Sequence, residues 1–154
     1  MADFRAILQK TADIFVENNT LAVKRRDASL FSAILTDDCV RIYRPLSFLE
    51  RYHQFFKKEI TNADYEAQMG IELQTMQEVS QKVTRSSIDT TQRRATLWTE
   101  QTITTTDQSK KVVEMIWDLE FTENGTRVKQ ILEFVDSYES SKLLEEMLAK
   151  ADAH

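Results

Sequence analysis

The sequence predicts an α+β protein in which helices come first and a curved antiparallel sheet follows. Helical periodicity dominates up to about residue 60, whereas β-branched and aromatic residues alternate with polar ones after Glu72. The clearest local signal is Asn124-Gly125, which separates two apolar runs within Lys111–Ser137 and is typical of a β-hairpin turn. Helices gathered before strands indicate an α+β architecture and argue against a parallel α/β sheet.

Three helices are predicted in the N-terminal half. The first extends from an Asp3 cap to about Asn18, because apolar residues recur there at helical spacing. The second covers Leu21–Ile34, with an interruption near Arg25-Arg26-Asp27. The third runs from Phe48 to about Ile60, follows a capping Ser47 and is rich in aromatic residues.

Most of the predicted strands lie in the second half. A short strand at Cys39–Tyr43 is stopped by Pro45, and a short helical turn starts at Asn62-Ala63-Asp64. The later elements are strands at Gln74–Ile88 and Arg93–Thr105, the two hairpin strands, and a closing helix from Tyr138 to Ala151.

The register of the hairpin decides which of its side chains share a face. If Asn124-Gly125 forms a two-residue turn, Ile116 lies opposite Glu133, and Trp117 falls on a uniformly apolar face. The opposite face either meets water or lines a pocket that uses acids, and a one-residue shift would change this sorting. That face carries Glu114, Ile116, Asp118, Ile131, Glu133 and Val135.

Composition bounds the class of protein. The chain has 154 residues, 42% of them hydrophobic and 29% charged, which predicts a single globular domain over residues 1–154. A net charge of -5 gives no electrostatic case for nucleic acid. No apolar run approaches the length of about 18 residues that a membrane span needs, and no secretory signal is recognisable, so we expect a cytoplasmic protein. Its one cysteine, Cys39, is interpreted as a buried thiol.

Several local strings resemble the NTF2-like superfamily, in particular the SnoaL-like fungal isomerases and cyclases of polyketide and meroterpenoid pathways. The similarity extends over most of residues 4 to 140. The strings are Leu35-Thr36-Asp37-Asp38-Cys39, Arg44-Pro45-Leu46-Ser47, Thr61-Asn62-Ala63-Asp64-Tyr65, Glu114, Asn124-Gly125-Thr126-Arg127-Val128 and Ile131-Leu132-Glu133-Phe134-Val135-Asp136-Ser137.

The resemblance implies a cone-shaped α+β barrel, in which N-terminal helices pack on a curved antiparallel sheet. It implies a homodimer without metal or organic cofactor that acts on a small polyketide-type substrate by acid–base chemistry. Bacterial members use an acidic residue late in the chain as the base. Glu133 and Asp136 lie in that region here, although a regular strand puts them on opposite faces.

Keto–enol chemistry needs a base for a carbon-bound proton and a donor that holds the developing enolate oxygen. We expect Glu133 to be the base, aided by Asp136 or Glu114, since crowded carboxylates in an apolar site raise one another's pKa. His53, on the aromatic third helix, or Arg44 would be the acid or the oxyanion holder.

Other side chains are candidates for binding the substrate. Arg41 could hold a carboxylate or an enolate oxygen, although a surface ion pair is equally compatible with the sequence. Aromatic residues could stack on a polyketide or donate hydrogen bonds, although Trp117 also suits the core or a dimer interface. The substrate-binding set is Arg41, Tyr43, Tyr65, Trp98, Glu114, Trp117 and Asp118.

The sequence thus favours a cofactor-independent isomerase or cyclase of fungal secondary metabolism. A dehydratase or lactone hydrolase on the same scaffold would use the same acids with a bound water. A non-catalytic ligand-binding or dimerisation module remains the alternative from another class, and it predicts a pocket without a paired acid and base.

Overall fold

A computed structural model describes residues 3–152 of the chain. Within this range, helices and strands form one layer of helix packed against one sheet. The elements are α1 Phe4–Arg25, a 3₁₀ helix Ala28–Ser32, β1 Leu35–Arg44, α2 Leu46–Arg51, β2 Glu59–Ile60, α3 Asn62–Glu72, β3 Met76–Asp89, β4 Arg94–Thr105, β5 Lys110–Phe121, β6 Val128–Val135 and α4 Ser137–Asp152.

The six strands form one curved, unclosed sheet in the order β2-β1-β6-β5-β4-β3. Neighbouring strands are antiparallel except for β1 and β6, which are parallel. The predicted α+β class and cone-like architecture are confirmed. No helix in the described range is long and apolar enough to cross a membrane.

The first helix is longer than predicted. The expected break at Asn18-Asn19-Thr20 does not occur, and α1 continues without interruption to Arg25. Asn19, Ala22 and Val23 are all buried on the face that already buries Phe15. Continued burial of one face outweighs the weak helix propensity of the asparagines, because packing provides most of a helix's stability in a protein.

Arg26 ends this helix and ties it to the rest of the fold. Its backbone adopts a left-handed conformation with φ of 55° and its N–H donates to the carbonyl of Ala22. Its guanidinium donates to the main-chain carbonyls of Leu73 and Met76, at the junction of α3 and β3. Arg26, which lies in the interruption predicted near Arg25-Arg26-Asp27, therefore joins the end of α1 to the start of β3.

The predicted third helix is wrong over most of its length. Helix α2 ends at Arg51, and the chain then turns so that Lys58 accepts a hydrogen bond from the Tyr43 backbone and β2 pairs with β1. The helix begins after Pro45, which is its N-cap, and not after Ser47. Pairing with the free edge of β1 overrides the local helical pattern.

The hairpin turn is wider than a two-residue turn. The N–H of Thr122 donates to the carbonyl of Arg127, and Asn124 Oδ1 accepts from the backbone and hydroxyl of Thr126. Gly125 has φ of +75°, and its carbonyl accepts a hydrogen bond from the Thr11 hydroxyl in α1. The turn is thus packed directly against the first helix.

A β-bulge shifts the register of this hairpin by one residue. Phe121 pairs with Val128 as the predicted count requires, but Glu120 pairs with Gln130, so that Lys129 is the extra residue. From there on Glu133 pairs with Trp117, and not with Ile116. The predicted sorting of the two faces is therefore wrong, because the bulge moves Glu133, Ile131 and Val135 to the inner face with Trp117.

The interior is packed at one end and hollow at the other. The packed end lies under the first half of α1, where Phe15 meets Trp117 edge-on with ring centroids 5.3 Å apart. Cys39 is buried in this cluster, as predicted. The other end is a ring of aromatic and aliphatic side chains from α2, α3, α4 and the strands, which includes Phe48, Met69 and Leu143.

The contact between the turn and α1 predicts opposite effects at the chain's two glycines. A Cβ at Gly125 would lie 2.8 Å from Leu8 Cδ2 and 3.0 Å from Phe4 Cε2, in a left-handed conformation. We expect Gly125→Ala to lower the free energy of unfolding by about 2–3 kcal/mol. Gly70 faces open space in a helix, so Gly70→Ala should raise it by up to about 1 kcal/mol. Urea denaturation measures both, and equal effects would contradict the packing described.

Candidate active site

The hollow end encloses a cavity of about 140 Å³. Its wall is mostly apolar, with side chains such as Val23 from α1, Met69 from α3, Val113 from β5 and Leu143 from α4. A concave, mainly apolar site with a few converging polar groups is typical of a small-molecule pocket. The polar or hydroxyl-bearing residues on its wall are Asn19, Tyr43, Tyr65, Gln68, Glu72, Gln101, Glu133 and Ser140.

A buried ion pair lies at the wall of this cavity. Parallel pairing of β1 with β6 brings Tyr43 alongside Glu133 and puts Arg41 on the same inner face. Arg41 Nη1 lies 3.3 Å from Glu133 Oε1, and the two residues are only 3% and 4% exposed. Removing two charges from water costs several kcal/mol per ion, so each depends on the other for compensation.

Aromatic rings complete the surroundings of the arginine. The Arg41 guanidinium carbon lies 3.5 Å from the ring centroid of Tyr65 and 5.8 Å from that of Trp117. Such cation–π contacts stabilise a positive charge that burial has separated from water. Although desolvation opposes it, the pKa of Arg41 is raised by Tyr65 and Glu133, so the side chain stays charged.

The pKa values of the neighbouring acids are raised as well. Burial is the main cause for Glu133, and the Arg41 guanidinium and Tyr43 hydroxyl oppose it by stabilising the charged carboxylate. Burial likewise raises the pKa of Tyr43 and Tyr65 above their ordinary values, with a further contribution from the negative charge of Glu133. Both phenols are therefore neutral hydrogen-bond donors at physiological pH.

Glu72 is a second carboxyl on the cavity wall, and sequence reasoning missed it. It is the last residue of α3, and burial together with the charge of Glu133 raises its pKa to about 7. The predicted short turn at Asn62-Ala63-Asp64 is in fact an 11-residue helix capped by Thr61. Had the helix been extended in the prediction, the i, i+4, i+7 spacing of Tyr65, Met69 and Glu72 would have indicated one shared face.

Four of the predicted site residues line the cavity: Tyr43, Tyr65, Trp117 and Glu133. Arg41 lies beside them through its contact with Glu133. Trp117 forms part of the boundary with the packed end and donates from Nε1 to Thr99 Oγ1 at 3.1 Å. Phe15 of α1 packs against this face, which agrees with the core position left open for Trp117 above and not with a dimer contact.

The predicted acids His53 and Arg44 are outside the cavity wall. His53 is exposed beyond the end of α2, with Nδ1 3.1 Å from the carbonyl of Glu50. Arg44 donates to the carbonyl of Tyr43 at 2.7 Å on the outward side of β1. The His53 prediction depended on the long third helix covering the cavity, and this helix ends too early to do so. The Arg44 prediction depended on the family resemblance, and alternation along β1 turns Arg44 away from the face that carries Arg41 and Tyr43.

The remaining predicted residues lie on or near the outer face of the sheet. Asp136 caps α4, where its Oδ1 accepts from the N–H of Glu139. Asp118 pairs with Arg94 at 3.1 Å, which agrees with the solvated-face interpretation left open above. Trp98 and Glu114, together with Asp136, line a separate open groove of about 720 Å³ on this side of the sheet. The bulge at Lys129 accounts for the separation of these acids from Glu133.

No group of three or more His, Cys, Asp or Glu side chains within residues 3–152 is arranged to hold a metal ion. The polar groups that converge on the cavity are two carboxyls, two phenols and several amides. This set can remove a proton, return it elsewhere and donate hydrogen bonds to an oxygen.

Comparison with solved structures identifies the fold. BvnE pinacolase from Penicillium brevicompactum aligns with a TM-score of 0.82 and 16% identity over 97% of this chain and 96% of its own. PrhC from Penicillium brasilianum aligns with a TM-score of 0.80 and 16% identity, over 97% and 93%. A putative SnoaL-like polyketide cyclase from Shewanella denitrificans aligns with a TM-score of 0.66 and 12% identity, over 92% and 99%.

The chain therefore has the NTF2-like, SnoaL-like fold that its sequence motifs suggested. At these identities the likeness shows the fold alone. No family model matches the sequence, and no curated protein is significantly similar to it.

The raised pKa of Glu72 predicts a pH-dependent stability. Because its folded-state pKa of about 7 exceeds the ordinary value of 4.5, the folded protein binds more protons between these values, and stability is lost as the pH rises through this window. Glu72→Gln mimics the neutral acid. We expect its stability relative to the parent to increase by about 1–2 kcal/mol from pH 5 to pH 8, after allowance for partial solvent exposure. Denaturation curves across this range test this, and a constant difference would contradict it.

Proposed function

We propose that the protein is a cofactor-independent isomerase or cyclase that acts on a polyketide- or meroterpenoid-derived ketone by acid–base chemistry. The observation that carries the proposal is the pair of carboxyls, Glu133 and Glu72, on the wall of one mostly apolar cavity. Their environments differ, since Glu133 contacts a buried cation whereas Glu72 has a pKa near neutrality. When two carboxyls in one site have environments that shift their pKa values to different extents, one commonly acts as the base and the other as the acid.

Glu133 is the proposed base. Arg41 keeps it ionised, and burial makes it more basic than a carboxylate in water. It removes a proton from the carbon next to the substrate's carbonyl group. The electron pair of the broken C–H bond forms a C=C bond, and the carbonyl π pair moves to oxygen.

Glu72 is the proposed acid. With a pKa of about 7, a large fraction carries a proton at neutral pH, and this proton passes to the substrate oxygen to give an enol. If the substrate has a C=C bond next to the carbon that loses the proton, the enol is a dienol. Glu133 then returns its proton to the far carbon of this dienol, the C=C bond shifts by one position, and the enol proton returns to Glu72. The product is an isomer, and both carboxyls are restored. In a ring closure the enol carbon would instead attack a second carbonyl carbon of the same molecule, the π pair of that carbonyl would move to its oxygen, and this oxygen would take the proton from Glu133 while the enol proton returns to Glu72.

The surrounding residues orient the reacting groups. The neutral Tyr43 and Tyr65 hydroxyls are additional donors for an oxygen that gains negative charge. The apolar wall suits a hydrocarbon skeleton and excludes water, which strengthens the electrostatic interactions inside. Arg41 acts through Glu133 as a positioning residue.

The paired carboxyls and the structural neighbours favour a catalytic function over a non-catalytic binding module. A non-catalytic module predicts a pocket without paired acid and base, and two carboxyls line this cavity. Two of the structural neighbours are a fungal pinacolase and a putative SnoaL-like polyketide cyclase. Fungal secondary metabolism is the proposed setting, with the enzyme as a single domain over residues 1–154 located in the cytoplasm.

The enzyme is further proposed to be a homodimer that associates through the outer face of its sheet. Trp98 pairs with Ile116, which pairs with Phe134, so that an apolar row crosses three strands. Trp98 and Phe134 are 36% and 43% exposed. Exposed apolar rows of this kind are typical of protein contacts. The proposed contact uses the outer face of the sheet, and not the face of Trp117, for which the sequence left a core position or a dimer interface open.

Proton abstraction can be tested without the natural substrate. We expect the protein to accelerate deuterium exchange at the α-carbons of 2-tetralone in D₂O, followed by NMR, and the acceleration to survive dialysis against a chelator. Glu72→Gln, which leaves the Arg41 ion pair intact, should lower the rate about 10²-fold. Glu133→Gln, which removes the base, should lower it by about 10²–10⁴-fold.

Glu66→Gln is the matched control, because Glu66 lies on the same helix as Glu72 but outside the cavity wall. It should exchange 2-tetralone at the parental rate. Thermal melting verifies that each variant is folded, which matters for Glu133→Gln because it leaves the Arg41 charge unpaired. Parental exchange rates in both cavity variants, or no acceleration by the parent, would overturn the proposal.

The dimer proposal predicts that charge on the outer face separates the subunits. Phe134→Glu should convert a dimer to a monomer in light scattering coupled to size exclusion, since it puts a carboxylate into a desolvated apolar contact. Phe55→Glu is the control, because Phe55 is similarly exposed at 48% but lies after α2, away from the sheet face. A monomeric parent, or a Phe134→Glu variant that stays dimeric, would exclude this interface.

A further inference from the structure

A row of hydrogen bonds crosses the fold and ends at the cavity. Asn19 Nδ2 of α1 donates to Gln81 Oε1 of β3 at 3.3 Å, and Gln81 Nε2 donates to Thr99 Oγ1 of β4 at 3.3 Å. Thr99 Oγ1 also accepts from Trp117 Nε1 at 3.1 Å and donates to the backbone carbonyl of Met115 at 3.0 Å. Asn19 and Trp117 line the cavity.

The direction of this row is set at its far end. A backbone carbonyl can only accept, so the single Thr99 hydroxyl hydrogen points to Met115. An indole N–H can only donate, so Trp117 uses one acceptor position of the same oxygen. The other position is left for a donor, and Gln81 must therefore present its NH₂ group to Thr99 and its carbonyl oxygen to Asn19.

The consequence is that Asn19 presents an acceptor with a defined orientation. Its NH₂ group is directed to Gln81, so this row of hydrogen bonds does not use the amide oxygen, and the residue lies on the cavity wall. No protein group among residues 3–152 donates to this Oδ1, although the residue is only 5% exposed. A buried amide oxygen without a donor has lost its hydrogen bonds to water and gained none in return, which is costly. A ligand that supplies the donor removes this cost.

We infer that Asn19 is a specificity-determining residue, which accepts a hydrogen bond from a hydroxyl group on the substrate. The substrate class is an apolar ring skeleton that bears a phenolic, enolic or alcoholic hydroxyl. A carbonyl or ether at the same position would face Oδ1 with another acceptor and be rejected. That the bound molecule is a substrate rests on the proposed function. Binding of its hydroxyl group by Asn19 does not require turnover.

The probes are 2-naphthol and naphthalene, which differ by one hydroxyl group. For each protein the ratio of the naphthalene Kd to the 2-naphthol Kd, measured by calorimetry or Trp fluorescence, reports recognition of this hydroxyl, since differences in probe hydrophobicity cancel between proteins. We expect Asn19→Leu to lower the ratio about 5- to 10-fold, because it removes the acceptor but retains an apolar wall.

The matched control is Asn18→Leu, the same change at the adjacent helix position outside the cavity wall, which should leave the ratio unchanged. If Asn19→Leu does not melt cooperatively, Asn19→Val makes the same test with a smaller side chain. The inference is overturned if the Asn19 variant keeps the parental ratio, if Asn18→Leu lowers the ratio as much, or if the parent binds both probes equally or not at all.

These outcomes are separate from those of the proton-exchange assay. Loss of hydroxyl discrimination with unchanged exchange of 2-tetralone would support the role of Asn19 and leave the acid–base proposal to its own test. If Asn19→Leu keeps the discrimination between 2-naphthol and naphthalene while the carboxyl variants lose proton exchange, the role of Asn19 is refuted and the acid–base proposal is supported.

Discussion

The buried Arg41–Glu133 ion pair is the interaction on which the hollow end of the fold depends. Both charges are nearly inaccessible to water, so loss of either partner would leave the other uncompensated at a cost of about 3–5 kcal/mol. The pair also links β1 to β6, the one parallel contact in the sheet. The carboxylate is thus kept charged next to an apolar space, which is a condition that a base needs and that a simple core would avoid.

The rest of the structure separates a filled core from this space. Phe15 and Trp117 fill the packed end, and the C-terminal helix α4 contributes Leu143 and Met147 to the wall of the hollow end. Glu72 is brought to the cavity by α3, whose N-terminal cap at Thr61 sets where the helix starts. The charged groups and the apolar wall therefore come from different elements, and these elements also contact one another, since Tyr65 of α3 stacks on Arg41 of β1.

Local patterns in the sequence predicted much of the fold. Alternation and turn residues predict the strands β3 to β6 and the closing helix, and three residues chosen from the sequence, Tyr43, Tyr65 and Glu133, lie on one cavity wall. Trp117 lies there too, although the predicted register put it on the other face of the hairpin from Glu133. The third helix failed because pairing with the edge of β1 overrides local propensity. The sequence gives no signal for Glu72, because the predicted short turn at Asn62-Ala63-Asp64 stops before it, whereas α3 continues to Glu72. The sequence points to His53 only if the aromatic helix is long, and α2 ends at Arg51.

What the sequence by itself determined is the class of fold and the supply of buried acids, because hydrophobic periodicity and turn chemistry act over a few residues. What only the tertiary structure decided is which acid faces inward. A single extra residue, Lys129, moves Glu133 from one face of the hairpin to the other. Side chains alternate with a period of two, so one residue of slip inverts the pattern. In the bulged register the hairpin turn contacts α1 and β6 pairs with β1, and these contacts join parts of the chain that are far apart in sequence.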